Sequence, residues 1–83
     1  MFLEVITPQK TVYSGEVNLV KVPGSSGSFE ILKNHAPVIS TLSSGELKFD
    51  AEDGHTARYQ TGNGVVEVKQ NHVIVLVDFI EQK

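Results

Sequence analysis

The stretch Val73-Ile74-Val75-Leu76-Val77-Asp78-Phe79-Ile80 decides the fold class, because it holds more apolar side chains than one sheet face can use. Side chains along a strand alternate between faces. Val73, Val75, Val77 and Phe79 are therefore expected on one face, with Ile74, Leu76 and Ile80 on the other. In a small two-layer sandwich only one face of each sheet meets the internal core. The second row has two possible covers. A sheet edge can curl so that both faces are partly buried within the domain, or another protein can cover the surplus, because monomers rarely expose large contiguous apolar patches. Val17 and Leu19 against Val20 and Val22 pose the same question in an earlier strand.

Outward from this segment the pattern is strand, turn, strand. Phe2 to Ile6 is a short strand closed by Thr7-Pro8, because proline cannot donate into a ladder. A longer strand runs from about Thr11 to Val22, with an interruption at Ser14-Gly15 expected to mark a bulge that re-aims it. Pro23-Gly24-Ser25-Ser26-Gly27 is a turn-rich loop. Phe29 to Leu32 is β-like, and Lys33 to Pro37 is irregular. Val38 to Leu42 resumes β character, and Ser43-Ser44-Gly45 turns the chain into Glu46 to Phe49. Asp53-Gly54 is a strong hairpin signal before Thr56 to Thr61. Gly62-Asn63-Gly64 and Gln70-Asn71 frame the alternating Val65 to Lys69. No segment shows the 3.6-residue apolar period of a helix, and closely spaced short strands imply an all-β sandwich or barrel.

The chain has 83 residues, enough for one domain spanning 1–83. At 40% hydrophobic and 20% charged it has the composition of a globular protein. It has no cysteine, so disulfides and thiolate metal sites are ruled out. A net charge of −3 with seven scattered basic residues argues against nucleic acid or an anionic membrane as partner. No run approaches the roughly 20 apolar residues of a membrane span. Met1-Phe2-Leu3-Glu4 lacks the basic start of a signal peptide and is expected to be structured. Direct membrane insertion is not expected.

The residues offer little for catalysis. Of the three histidines, His55 and His72 lie in turns, and none has a partner at metal-ligand spacing. His35, beside Ala36-Pro37, is either a loop organiser or a partner contact. Gly24-Ser25-Ser26-Gly27 lacks the Lys and the following helix of a phosphate-binding loop. The serines include no nucleophile elbow. Glu16, Glu30, Glu46, Asp50, Glu52 and Asp53 could pair in space, but a chain this short leaves little room for a cleft. Neither cofactor nor small-molecule substrate is expected. The alternative to a structural subunit is a small β-sandwich module for peptide or carbohydrate, which would need a groove lined by some of Phe2, Tyr13, Phe29, Phe49, Tyr59 and Phe79.

Taken in order, several segments resemble one family. These are Thr7-Pro8 with Val12-Tyr13-Ser14-Gly15-Glu16-Val17, the loop Val22 to Phe29, Asn34-His35-Ala36-Pro37-Val38-Ile39, Ser44-Gly45-Glu46-Leu47, Gly62 to Val68, and Val73 to Asp78. The set is similar to the N-terminal domain of the epsilon subunit of F-type ATP synthases. The resemblance implies a flattened sandwich of two antiparallel sheets with about ten short strands. It also implies a non-catalytic rotor subunit at the foot of the central stalk. Such a subunit packs on the gamma subunit and the c-ring, on the cytoplasmic face of the bacterial inner membrane, and helps couple proton translocation to ATP synthesis. By position, Ser25, Ser26, Ser28 and Glu30 become candidates for c-ring contact, and His35, Pro37 and Ile39 for the rotor interface. Most family members continue into a helical hairpin that can inhibit ATP hydrolysis and in some species binds ATP. This sequence stops at Glu81-Gln82-Lys83, so neither property is expected of it, and the short form is expected to be natural.

Overall fold

Turn residues cut the chain into segments of alternating polarity, and each segment forms a strand. The computed structural model describes residues 1–83. It contains β1 (Phe2–Ile6), β2 (Thr11–Val22), β3 (Phe29–Leu32), β4 (Val38–Leu42), β5 (Gly45–Ala51), β6 (Thr56–Thr61), β7 (Gly64–Lys69), β8 (His72–Val77) and β9 (Ile80–Gln82). The first sheet runs β4-β7-β8-β1-β2, and the second runs β3-β2-β5-β6-β9. Strand β2 belongs to both. Its first half pairs with β1 as far as Glu16, and from Val17 onward it pairs with β5, with β3 on its other edge. The expected all-β sandwich is thus present, with nine strands. Pairing is antiparallel except between β1 and β8, which lie parallel with Leu3 opposite Val73 and Val5 opposite Val75. A parallel pair cannot be closed by a tight hairpin, and here the chain between the two strands passes through the second sheet before returning.

The bulges lie elsewhere than the sequence suggests. The β1–β2 ladder continues through Gly15, opposite Leu3, and slips at Val12, between Tyr13 opposite Val5 and Thr11 opposite Ile6; a second slip falls at Asn18, between Val17 and Leu19. Without this second slip, Val17 and Leu19 would share a face. The extra residue instead turns Val17, Val20 and Val22 inward together, all with no exposed surface. The double-sided apolar pattern of β2 therefore comes from a bulge, and only Leu19 is left on the outside. Gly15 has a different role, because a Cβ there would stand 2.8 Å from the Tyr13 hydroxyl. The missing side chain makes room for the ring two residues earlier.

The last strand is also shorter than the alternation implies. β8 ends at Val77, the Asp78 amide donates to the Asn63 carbonyl (3.0 Å), and the Gly62 amide donates to the Phe79 carbonyl (3.0 Å). The chain then crosses to the second sheet, where Ile80 pairs opposite Thr61. Phe79 is thereby removed from the Val73, Val75, Val77 row and stands exposed. Ile80 leaves the outer row and packs against the core.

Between the sheets lie fifteen buried apolar residues, among them Leu3, Val5, Ile31, Leu47, Phe49, Val66, Val68, Val73 and Val75. Phe49 lies against Tyr13 (ring centroids 4.4 Å apart) and Tyr59 (6.1 Å), separations within the range favoured by aromatic pairs. The β7–β8 hairpin closes through Gln70 (φ 51°) and Asn71 (φ 60°). Two successive positive φ values mark the turn whose twist matches that of its strands. The Asn71 carbonyl also accepts the Phe2 amide (2.9 Å), and its side chain bonds Asn34.

Candidate docking face

Strand β8 is central in the first sheet, held by β1 on one edge and β7 on the other. Its inward row, Val73, Val75 and Val77, belongs to the core, so alternation forces His72, Ile74 and Leu76 outward. Register then sets their neighbours. Leu76 stands opposite Ile6 on β1 and Val65 on β7, Ile74 opposite Glu4 and Glu67, and His72 opposite Phe2 and Lys69. One strand further on, Ile39 of β4 lies opposite Glu67. Leu76 is 43% exposed and Ile39 71%. A shallow groove of about 430 Å³ runs past Ile6, Pro8, Gly64 and Leu76. A second, of about 450 Å³, lies between Pro37, Val38, Ile39, Glu67 and Lys69.

The outer face of the second sheet has a different character. Lys21 stands opposite Glu30 and Lys48, Lys48 opposite Arg58, and Asp50 opposite Thr56, whose hydroxyl donates to the carboxylate at 2.9 Å. Leu19 and Leu32, paired with each other, are its apolar exceptions. One outer face is thus charged and suited to water, and the other carries an apolar cluster of Ile6, Val65, Ile74 and Leu76 beside Glu4, Glu67, Lys69 and His72.

Four ion pairs are present. Lys83 donates to Glu46 at 3.2 Å, and this bond, against slight desolvation, holds the Glu46 carboxyl below its ordinary range. Hydrogen bonds from His55, backbone first and then ring, do the same for Asp53. Burial raises the Tyr13 hydroxyl. The N-terminal ammonium meets Glu16 at 3.1 Å. On the apolar face, His72 Nε2 lies 2.7 Å from Glu4 Oε1, and the Phe2 ring stands edge-on to the imidazole at 5.3 Å.

The residues singled out from sequence fall in separate places. Ser25, Ser26 and Ser28 share one exposed loop at one end of the sandwich. It is held by the Ser25 amide donating to Thr41 O (3.0 Å), by Thr41 Oγ1 donating to Ser25 Oγ (2.9 Å) and by Ser28 Oγ donating to Val22 O (3.2 Å). Glu30 points outward from β3, opposite Lys21. His35 lies in the β3–β4 turn at the opposite end, its Nδ1 2.8 Å from Ala36 O. Pro37 and Ile39 do line one of the apolar grooves. Phe2, Ile6 and Val65 were not singled out as members of this face, although the alternation of Leu3 and Val5 against Phe2 and Ile6 would have found the β1 pair. The aromatic groove required of a carbohydrate or peptide module is not what the aromatics build, for Tyr13, Phe29 and Tyr59 pack on the core and Phe49 lies within it.

The chain matches, over residues 1–83, the family model for the ATP synthase delta/epsilon chain β-sandwich domain. It is 40% identical over 76 residues to the ATP synthase epsilon chain of Chlorobaculum tepidum, covering 92% of this chain and 86% of that one. It is 39% identical over 79 residues to the epsilon chain of Anaeromyxobacter dehalogenans, covering 95% of this chain but 59% of that one. Among solved structures, the fold is similar to a chain of the Euglena gracilis mitochondrial ATP synthase (TM-score 0.87, 17% identity, 96% of this chain and 51% of that one). It is also similar to a chain of the Tetrahymena thermophila mitochondrial ATP synthase central stalk/c-ring assembly (TM-score 0.81, 18% identity, 99% and 66%). By the family-model match over its full length and its 40% identity to an epsilon chain, the chain belongs to the ATP synthase delta/epsilon chain family, of which it carries the β-sandwich domain.

Proposed function

We propose that this chain is a non-catalytic rotor subunit in the central stalk of an F-type ATP synthase. The outer face of its first sheet packs on the gamma subunit, and the Ser25–Ser28 loop, with Glu30 beside it, faces the c-ring. His35 and Pro37, with Ile39, border the gamma contact. The chain transmits rotation between ring and gamma, and so helps couple proton translocation to ATP synthesis. It sits peripherally on the cytoplasmic face of a bacterial inner membrane, held there by its partners. No helix of the fold is long and apolar enough to cross a membrane.

The observation that carries this reading is the contrast between outer faces, with Ile6, Ile74, Leu76 and Ile39 on one and Lys21, Lys48 and Arg58 on the other. An apolar outer row that the domain does not cover itself is the surface a stalk partner would bury. Family membership supplies the identity of that partner. The test is recovery from a native membrane extract. A tagged chain is expected to bring down gamma and c-ring subunits together, and recovery of neither under non-denaturing conditions would overturn the proposal.

A further inference from the structure

Resting on that docking role, we infer that closing the first sheet's outer face takes up a proton at the His72–Glu4 pair, so that affinity for gamma rises as pH falls. Glu4 and Glu67 are both carboxylates of this face, each opposite Ile74, and Glu4 has Ser14 opposite it on β2. Phe2 and Ile6 flank Glu4 on its own strand. Its one side-chain hydrogen bond is to His72 Nε2, at 2.7 Å. The other charged groups facing the pair are few. From β7, Lys69 stands opposite His72 and Glu67 opposite Ile74. From β2, Glu16 stands opposite Phe2 and is engaged by the N-terminal ammonium. His72, Ile74, Glu67, Lys69 and Gln70 line a shallow groove of about 270 Å³ around the imidazole, so the pair is open to solvent in the free chain.

In the free chain, water stabilises the Glu4 carboxylate whether the imidazole is a neutral Nε2–H donor or an imidazolium. A partner laid over Phe2, Ile6 and Ile74 removes that water. A carboxylate next to a neutral imidazole then carries an uncompensated charge into a low-dielectric interface, which is costly. A carboxylate next to an imidazolium enters as a neutral pair, and the attraction within the pair grows as water leaves. The protonated form is therefore bound more tightly. By linkage, docking must draw a proton from solution, and histidine is the side chain able to supply that change near neutral pH.

The test is calorimetric titration of the purified chain with its cognate gamma subunit from about pH 6.5 to 8, in buffers of different ionisation enthalpy. The unmodified chain is expected to take up a fraction of a proton on binding and to bind about threefold or more tightly at the lower pH. His72→Gln, which keeps a donor but holds no charge, is expected to abolish both effects. Glu4→Gln should do the same from the other side of the pair, and it serves if the first variant folds poorly. His55→Gln, remote in the β5–β6 hairpin, should leave proton uptake unchanged. Equal proton uptake in His72→Gln and the unmodified chain, or proton release on binding, would overturn the inference while leaving the docking role in place. Failure of the unmodified chain to bind gamma at any pH would overturn both.

Discussion

Replacing Leu76 by glutamate and, separately, Val75 by aspartate probes the two sides of one strand, and the structure sets how differently they should behave. Val75 has no exposed surface and lies in the core, whereas Leu76 keeps 43% of its surface exposed and is not part of the core. Full burial of a leucine side chain contributes about 1.5–3 kcal/mol, so losing a little over half of it costs about 1–1.5 kcal/mol. For a domain of this size that lowers the melting temperature by about 4–10 °C. Leu76→Glu should therefore fold. An aspartate at position 75 would place a carboxylate among Leu3, Val5 and Val66 with no partner, at a cost comparable to the whole stability of a small domain. Binding should show the opposite order of effects. The variant face must bury a carboxylate between Ile6 and Val65 when gamma docks, a loss of about 2 kcal/mol or more. The dissociation constant should then rise by roughly 30-fold or more. Thermal melts by circular dichroism, with titration against gamma, measure both quantities. A folded Leu76→Glu chain whose affinity stays within about twofold of the unmodified one would refute the assignment of this face.

Other substitutions test the fold that presents this face. Phe49→Ala removes a side chain 2% exposed between two tyrosines and should cost about 3–5 kcal/mol in denaturant unfolding. Gly64→Ala would drive a methyl group into the carbonyl oxygen of Leu76 on the paired strand. Loss of the cooperative melting transition, or a fall of more than about 10 °C, is expected. Gln70→Gly relieves a positive φ at a residue with a side chain, and should raise stability by about 0.5–1 kcal/mol. The Glu46 carboxyl is held low by Lys83. Its pairing therefore adds stability above the usual glutamate range, and that stability is lost as pH falls through the lowered value. Lys83→Ala should lower stability slightly at neutral pH, leave it unchanged where Glu46 is protonated, and so flatten the acid limb of a pH–stability curve.

Much of the sandwich was legible because turn chemistry is local. The Asp53-Gly54 and Gln70-Asn71 hairpins could be placed from residue types, since their backbone needs are met by few side chains. The outward row of β8 was legible through strict alternation. The slip at Asn18 was not, because a bulge depends on how β2 meets β5, and nothing in Val17-Asn18-Leu19-Val20 by itself favours a slip over regular alternation. The departure of Phe79 from the core row was hidden for a similar reason. The bend at Asp78 is held by bonds to Gly62 and Asn63, residues distant in sequence. Of the candidate contact residues, Pro37 and Ile39 were named from a motif and line a groove on this face, Phe2 and Ile6 could have been read from the alternation of β1, and Val65 joins them through the register of β7 with β8.

The same registers explain why this face suits a part that must transmit torque. Ile74 and Leu76 stand on the strand hydrogen-bonded on both edges, parallel to β1 and antiparallel to β7. Their backbone is fixed before any partner arrives, and β-branched or short apolar side chains have little rotamer freedom left to lose. Docking onto such a row costs little ordering entropy, so more of the buried apolar area appears as affinity. The inward row of the same strand holds the two sheets together. A force applied at Leu76 therefore reaches the core through one residue of β8 backbone, with no loop in between.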